Sequence, residues 1–170
     1  NFSSNTSDLI VIGGGVSGTS ILYNCSKLGL NGLLLEKDKL TSGTTWHSAG
    51  LHWNCRPNYY DIESGINTIN MIKNVEKQSG LSCGFIKNGG LYIANNEDRL
   101  NEYKRMSELS KFYGIENYII TDKTEIKQIH PYLNVDDILG CLYSPQDGTI
   151  DPDSITQALA RASKINGSEI

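Results

Sequence analysis

The sequence predicts an α/β fold that opens with a strand, a glycine-rich turn, a helix and a second, parallel strand. Three observations carry the prediction. Leu9-Ile10-Val11-Ile12 is a short continuous apolar run, the pattern of a strand buried on both faces. It leads directly into Gly13-Gly14-Gly15-Val16-Ser17-Gly18 and a helical stretch. A second apolar run, Leu33-Leu34-Leu35, follows and ends at the acid Glu36. A strand, helix and strand in this order predict a right-handed crossover and a parallel pair.

The remaining elements follow from periodicity and caps. The first helix is expected over 16–28, with Ile21, Leu22, Cys25 and Leu28 inward and Gly29 as the C-cap. After an irregular connection at 38–57, Ile62, Ile66, Ile69, Ile72 and Val75 fall at helical spacing between Tyr59 and Gln78, and Gly80 ends that helix. Residues 85–94 read as a hairpin around Asn88-Gly89-Gly90. A helix over 97–113 turns Leu100, Tyr103, Met106, Leu109 and Phe112 inward. Tyr118-Ile119-Ile120 is a strand, and 123–129 a helix stopped before Pro131. Residues 139–143 are a further strand. Asp151-Pro152 then opens the last helix, with Ile155, Leu159 and Ala162 as its buried face. The pattern is a βαβ start interrupted by an inserted hairpin and helices. It does not complete a six-stranded doubly wound sheet, and the chain is expected to be truncated.

Composition narrows the functional classes. The 170 residues fit one domain, with 38% hydrophobic residues and a mean hydropathy of −0.33. No apolar run approaches the ~18 residues of a membrane span. Fifteen basic against nineteen acidic residues, with no basic stripe, argue against a nucleic-acid partner. Cys25, Cys55, Cys83 and Cys141 are scattered and have neither zinc-site nor disulfide-framework spacing. No metal is expected. Residues 1–7 are polar and begin with Asn, the composition of a leader remnant or linker.

The glycine-rich turn carries the first chemistry. Gly13 permits a tight turn off the strand, Gly15 lets backbone approach a pyrophosphate, and Gly18 lets the helix pack close to the sheet. Val16 begins the helix, whose free N–H groups and positive end attract phosphate. Glu36, 21 residues after Gly15, stands where a carboxylate accepts from ribose hydroxyls, with Lys37 beside it. This is a dinucleotide-binding arrangement of Rossmann type, and it does not distinguish NAD from FAD.

The segment after Leu40 makes that distinction. Thr41-Ser42-Gly43-Thr44-Thr45-Trp46-His47-Ser48-Ala49-Gly50 is dense in hydroxyls and glycine, a composition able to wrap a polar ligand closely. Ser42, Thr44, Thr45, His47, Ala49 and Gly50 are its candidate ligand contacts. The segment resembles the flavin-linked amine dehydrogenases of the D-amino-acid-oxidase superfamily, and within them the sarcosine and dimethylglycine dehydrogenase family. Residues 86–94 and 134–137, and Tyr143-Ser144-Pro145-Gln146-Asp147-Gly148-Thr149-Ile150-Asp151-Pro152, resemble the sarcosine branch. The similarity runs from Asp8 through nearly the whole chain.

The resemblance implies a glutathione-reductase or D-amino-acid-oxidase type fold, of which 8–170 is the N-terminal part. It implies FAD joined covalently to His47, and a neutral imidazole nitrogen is nucleophilic enough to bond an electrophilic flavin carbon. It further implies oxidative demethylation of a small N-methyl amine and electron transfer to electron-transfer flavoprotein. Tetrahydrofolate bound by a C-terminal region and the mitochondrial matrix as location are implied as well. Residues 1–170 alone are expected to be inactive. No catalytic residue is assigned. His52, Trp53, Arg56 and His130 read as structural, Tyr92 and Tyr143 as packing residues, and Asp147 and Asp151 as capping residues. A dimethylglycine dehydrogenase or another FAD amine oxidase remains an alternative. So does a non-catalytic relative of the kind that regulates pyruvate dehydrogenase phosphatase.

Overall fold

The computed structural model describes residues 6–170, so most of the expected leader remnant lies outside the described residues. In chain order the elements are β1 (Leu9–Ile12), α1 (Val16–Lys27), β2 (Gly32–Leu35), β3 (Leu51–His52), α2 (Tyr59–Ser79), β4 (Gly90–Ala94) and α3 (Glu97–Phe112). These are followed by β5 (Tyr118–Ile120), α4 (Lys123–Ile129), β6 (Gly140–Ser144), β7 (Gly148–Thr149) and α5 (Pro152–Ile165). They form two compact units. One takes in the described residues up to Gly50 with Asn70–Phe85 and Ile150–Ile170; the other is Leu51–Ile69 with Ile86–Thr149.

In the first unit β1 and β2 are parallel, with Val11 opposite Leu34. Val11, Leu34 and Leu22 of α1 form its buried core, with Leu9 and Leu40 against them. Gly32 makes this packing possible, because a Cβ there would lie 2.5 Å from Leu22 Cδ1. The other sheet face carries Ile10 and Ile12, 58% and 86% exposed. Backbone hydrogen bonds from Leu34 N–H to Glu169 C=O and from Glu169 N–H to Gly32 C=O, each 2.9 Å, form a parallel bridge beside β2.

The inward face of α1 differs from the expected one. Thr19, Leu22, Tyr23 and Ser26 are buried, while Ile21 and Leu28 are 51% and 80% exposed. The helix packs on α5 as well as on the sheet, and this turns a different arc inward. Thr19 and Ser26 tolerate burial because their hydroxyls donate to the backbone carbonyls of Gly15 and Tyr23. The C-cap is Leu28 rather than the expected Gly29, which follows it in the left-handed conformation at φ +82°. The start of α5 is as expected: Asp151 caps it by accepting from Ser154 N–H at 2.6 Å, and Pro152 stands at its first turn.

In the second unit β4, β6 and β5 form an antiparallel sheet in that order. Side chains alternate across it. Leu142 joins Cys55, Ile62, Met106 and Ile115 in one cluster, and Cys141 joins Ile120, Ile126 and Ile138 in another. Two expectations are corrected here. There is no hairpin over 85–94, because β4 pairs with β6 and Ile86 bridges to Thr149 instead. A five-residue register with β6 outweighs a short local pairing. Phe112 is 80% exposed rather than inward, since α3 has reached its last residue there.

Candidate functional site

The first unit brings the glycine-rich turn, Glu36 and the threonine-rich loop together. The chain leaves β1 through Gly13 at φ +109°, with its N–H donated to Leu35 C=O. Only glycine adopts that conformation without strain. Gly18 is needed for a different reason, since a Cβ there would stand 2.0 Å from Gly13 O. Gly15 begins α1 with no side-chain cap of its own, and the first turn holds no acid. The first turn of α1 thus carries no carboxylate of its own, as suits a helix start that meets an anion.

Two side chains meet this turn. Glu36 accepts from Gly14 N–H at 2.7 Å and from Asp38 N–H at 3.0 Å. The hydrogen bond from Asp38, followed by that from Gly14, holds its carboxyl below the ordinary glutamate range. Thr45 is buried, and its Oγ1 accepts from Val16 N–H at 3.0 Å. A Cβ on Gly15 would lie 2.8 Å from the same oxygen. The loop thus supplies the cap that α1 lacks.

His47 lies two residues further on, in the 3-10 turn Thr45–His47, and is exposed. Its ring stacks on Trp46 with centroids 3.9 Å apart, and Nδ1 lies 3.3 Å from Thr44 O. A carbonyl oxygen only accepts, so a hydrogen bond here is one that Nδ1–H donates. Gly50 closes the loop at φ +62°, where a Cβ would meet Ile150 O at 2.2 Å.

Not every expected contact reaches the turn. Ser42 forms a local turn with Lys39, donating to its carbonyl and accepting from its N–H. Thr44 contributes its carbonyl to His47. Lys37 and Ala49 are exposed. The structure adds Thr41, which sequence reading left out. Its φ is +70°, it is buried, its N–H donates to Gly14 O, and its hydroxyl donates to Asp153 Oδ1 at 2.6 Å. A β-branched residue in the left-handed region is strained, and nothing in the sequence marks it.

The second unit holds a buried carboxylate that capping does not explain. Asp147, 1% exposed, accepts from the backbone and side-chain nitrogens of Asn54, from Ser144 Oγ and from Tyr92 Oη. Burial, and then the charge of Asp147, push the Tyr92 phenol far above its ordinary range. Tyr92, Trp53 and Tyr103 line a cavity of about 530 Å³ with β4 and β7. Arg56 lies over the Trp53 ring at 5.2 Å, and His130 ends α4 as expected. Among the described residues no group of His, Cys, Asp and Glu is placed to hold a metal, and no helix is long and apolar enough to cross a membrane.

The obligatory glycines, the acid-free helix start and the carboxylate at the end of β2 fit a dinucleotide. Comparison with known proteins says which. The chain is 46% identical over 168 residues to mitochondrial sarcosine dehydrogenase of Mus musculus, covering 98% of this chain and 18% of that protein. It is 36% identical over 161 residues to mitochondrial dimethylglycine dehydrogenase of Rattus norvegicus, covering 94% and 19%. The chain therefore spans about a fifth of the length of these relatives. Among solved structures it matches L-proline dehydrogenase from P. horikoshii with a TM-score of 0.87 and 26% identity, over 96% of this chain and 43% of that one. Residues 8–170 match the family described as FAD dependent oxidoreductase, and the chain belongs to that family.

Proposed function

We propose that this chain forms the FAD-holding part of an amine dehydrogenase that oxidatively demethylates a small N-methyl amine of the sarcosine class, giving the primary amine and a one-carbon unit. Bound FAD supplies the acceptor for a hydride equivalent from the amine. Gly13 shapes the turn and Gly18 lets α1 pack close to it, so that Gly15 and the start of α1 at Val16 would face the pyrophosphate and Glu36 the ribose. Ser42, Thr44, Thr45, Ala49 and Gly50 form the loop around the flavin side. His47 would hold the flavin by a covalent bond through its imidazole, and the bound flavin would take up the electrons of the amine.

One observation supports the reading most: Thr45 Oγ1 accepts from the first amide of α1, and Thr45 begins the turn that carries His47. The 46% identity to a sarcosine dehydrogenase supports the substrate class. Electron-transfer flavoprotein as acceptor, tetrahydrofolate as carrier for the one-carbon unit and the mitochondrial matrix as location complete the proposal. The names of the relatives support the mitochondrion.

The test is acid precipitation of the full-length holoprotein. Yellow, fluorescent flavin should stay with the chain in the wild type and be lost in His47→Ala. Free flavin in the wild-type supernatant overturns covalent attachment. Turnover with sarcosine against dimethylglycine, read first with an artificial dye and then with electron-transfer flavoprotein, tests the substrate and acceptor separately. No turnover with either amine overturns the enzymatic reading.

A further inference from the structure

We infer that Thr45 is a positioning residue for flavin attachment, coupling the dinucleotide cradle to His47 through a cap supplied from outside the helix. The inference rests on the attachment reading above and deepens it. Helices that begin with Ser, Thr, Asp or Asn cap themselves; α1 begins with Gly15 and has no side chain to do so. Thr45, 29 residues after Val16, puts its Oγ1 3.0 Å from Val16 N–H. Thr45 is also the first residue of the turn that carries Trp46 and His47.

The His47 ring is fixed relative to that turn, on one face by Trp46 at 3.9 Å and at Nδ1 by Thr44 O. Thr45 is itself buried, while Trp46 and His47 are exposed. The turn is therefore tied down at one side chain, and the tie ends on an amide of the phosphate-binding helix start. A nucleotide seated at that helix start then meets an imidazole already held at a set place. Reaction rates fall steeply when a reacting group is misplaced by about 1 Å. Loss of the tie should slow attachment more than it weakens binding.

The experiment is reconstitution of the full-length apoprotein with saturating FAD, followed over time. Acid-stable flavin reports attachment, and total retained flavin reports binding. Thr45→Val, which keeps the shape and removes the acceptor, is expected to slow attachment at saturating FAD by about tenfold or more. Thr45→Ser should restore it. Val16→Pro removes the N–H from the other partner. Proline suits a first helical position, and Gly15 already has the extended backbone that must precede it. If the two groups act through one hydrogen bond, the double variant is no slower than the slower single variant.

An unslowed Thr45→Val overturns the inference while leaving the attachment reading intact. So does a Thr45→Val defect that disappears at saturating FAD, or one that adds fully to Val16→Pro. Wild-type flavin fully released by acid overturns the attachment reading, and the inference with it. A Thr45→Val protein that fails to fold leaves the decision to Thr45→Ser and Val16→Pro: unslowed attachment in Val16→Pro overturns the inference.

Discussion

Gly18, Thr41 and Glu36 show how differently single residues reveal their roles. Gly18 was legible because the spacing of three glycines after an apolar run has one physical use, and the structure adds the reason, a 2.0 Å approach to Gly13 O. Gly18→Ala is expected to lose FAD retention and lower the melting temperature, since backbone must move to admit the methyl. Gly43→Ala should leave the melting temperature unchanged within error, because its Cβ would meet nothing within 4 Å. Thr41 was not legible: threonine's intrinsic preference is against φ +70°, and only its long-range partners Gly14 and Asp153 hold it there. Glu36 was legible as a carboxylate at the end of β2, but its two amide donors were not. They lower its folded pKa below the unfolded value. Its contribution is thus present above the unfolded pKa and lost as pH falls through the folded one. The acid limb of wild-type stability, followed by circular dichroism from pH 5 downward, should be flatter in Glu36→Gln.

Elements were legible where their own sequence caps or periodicity decides them. Asp151-Pro152 at the start of α5 is one case, and Asp151→Ala should cost about 1 kcal/mol in urea unfolding. The hairpin around Asn88-Gly89-Gly90 is the opposite case. Local turn chemistry suggested it, and pairing of β4 with β6, some fifty residues away, displaced it. Asp147 belongs to this scale because its carboxylate ties the segment after β3, strand β4 and the β6–β7 turn together. From the sequence it looked like a turn residue, since its partners Asn54 and Tyr92 are distant in the chain. Asp147→Ala leaves three buried donors, both Asn54 nitrogens and Ser144 Oγ, without this acceptor, while Tyr92 Oη keeps Cys55 O, and should cost about 3 kcal/mol or more in urea unfolding. Tyr92→Phe removes one of these bonds and should cost about 1.5 kcal/mol.

At the scale of the molecule, burial decides what composition leaves open. The four cysteines are free, with Cys55, Cys83 and Cys141 buried and Cys25 partly accessible. Burial pushes Cys83 and Cys141 up to about 11. Iodoacetamide at pH 8 should therefore label Cys25 alone of these four in the native protein, as read by peptide mass spectrometry; labelling of Cys83 or Cys141 before unfolding would contradict their burial. The sequence by itself determined the βαβ opening, the dinucleotide fingerprint and the loop that carries His47. Apolar runs, glycine spacing and caps act over a few residues, so their physics is written locally. Tertiary structure alone decided which arc of α1 is buried, which strand β4 pairs with, how Asp147 is satisfied and where Thr45 sits. Each of those is a contest between partners far apart in the chain, settled by packing and by the requirement that buried polar groups find one another.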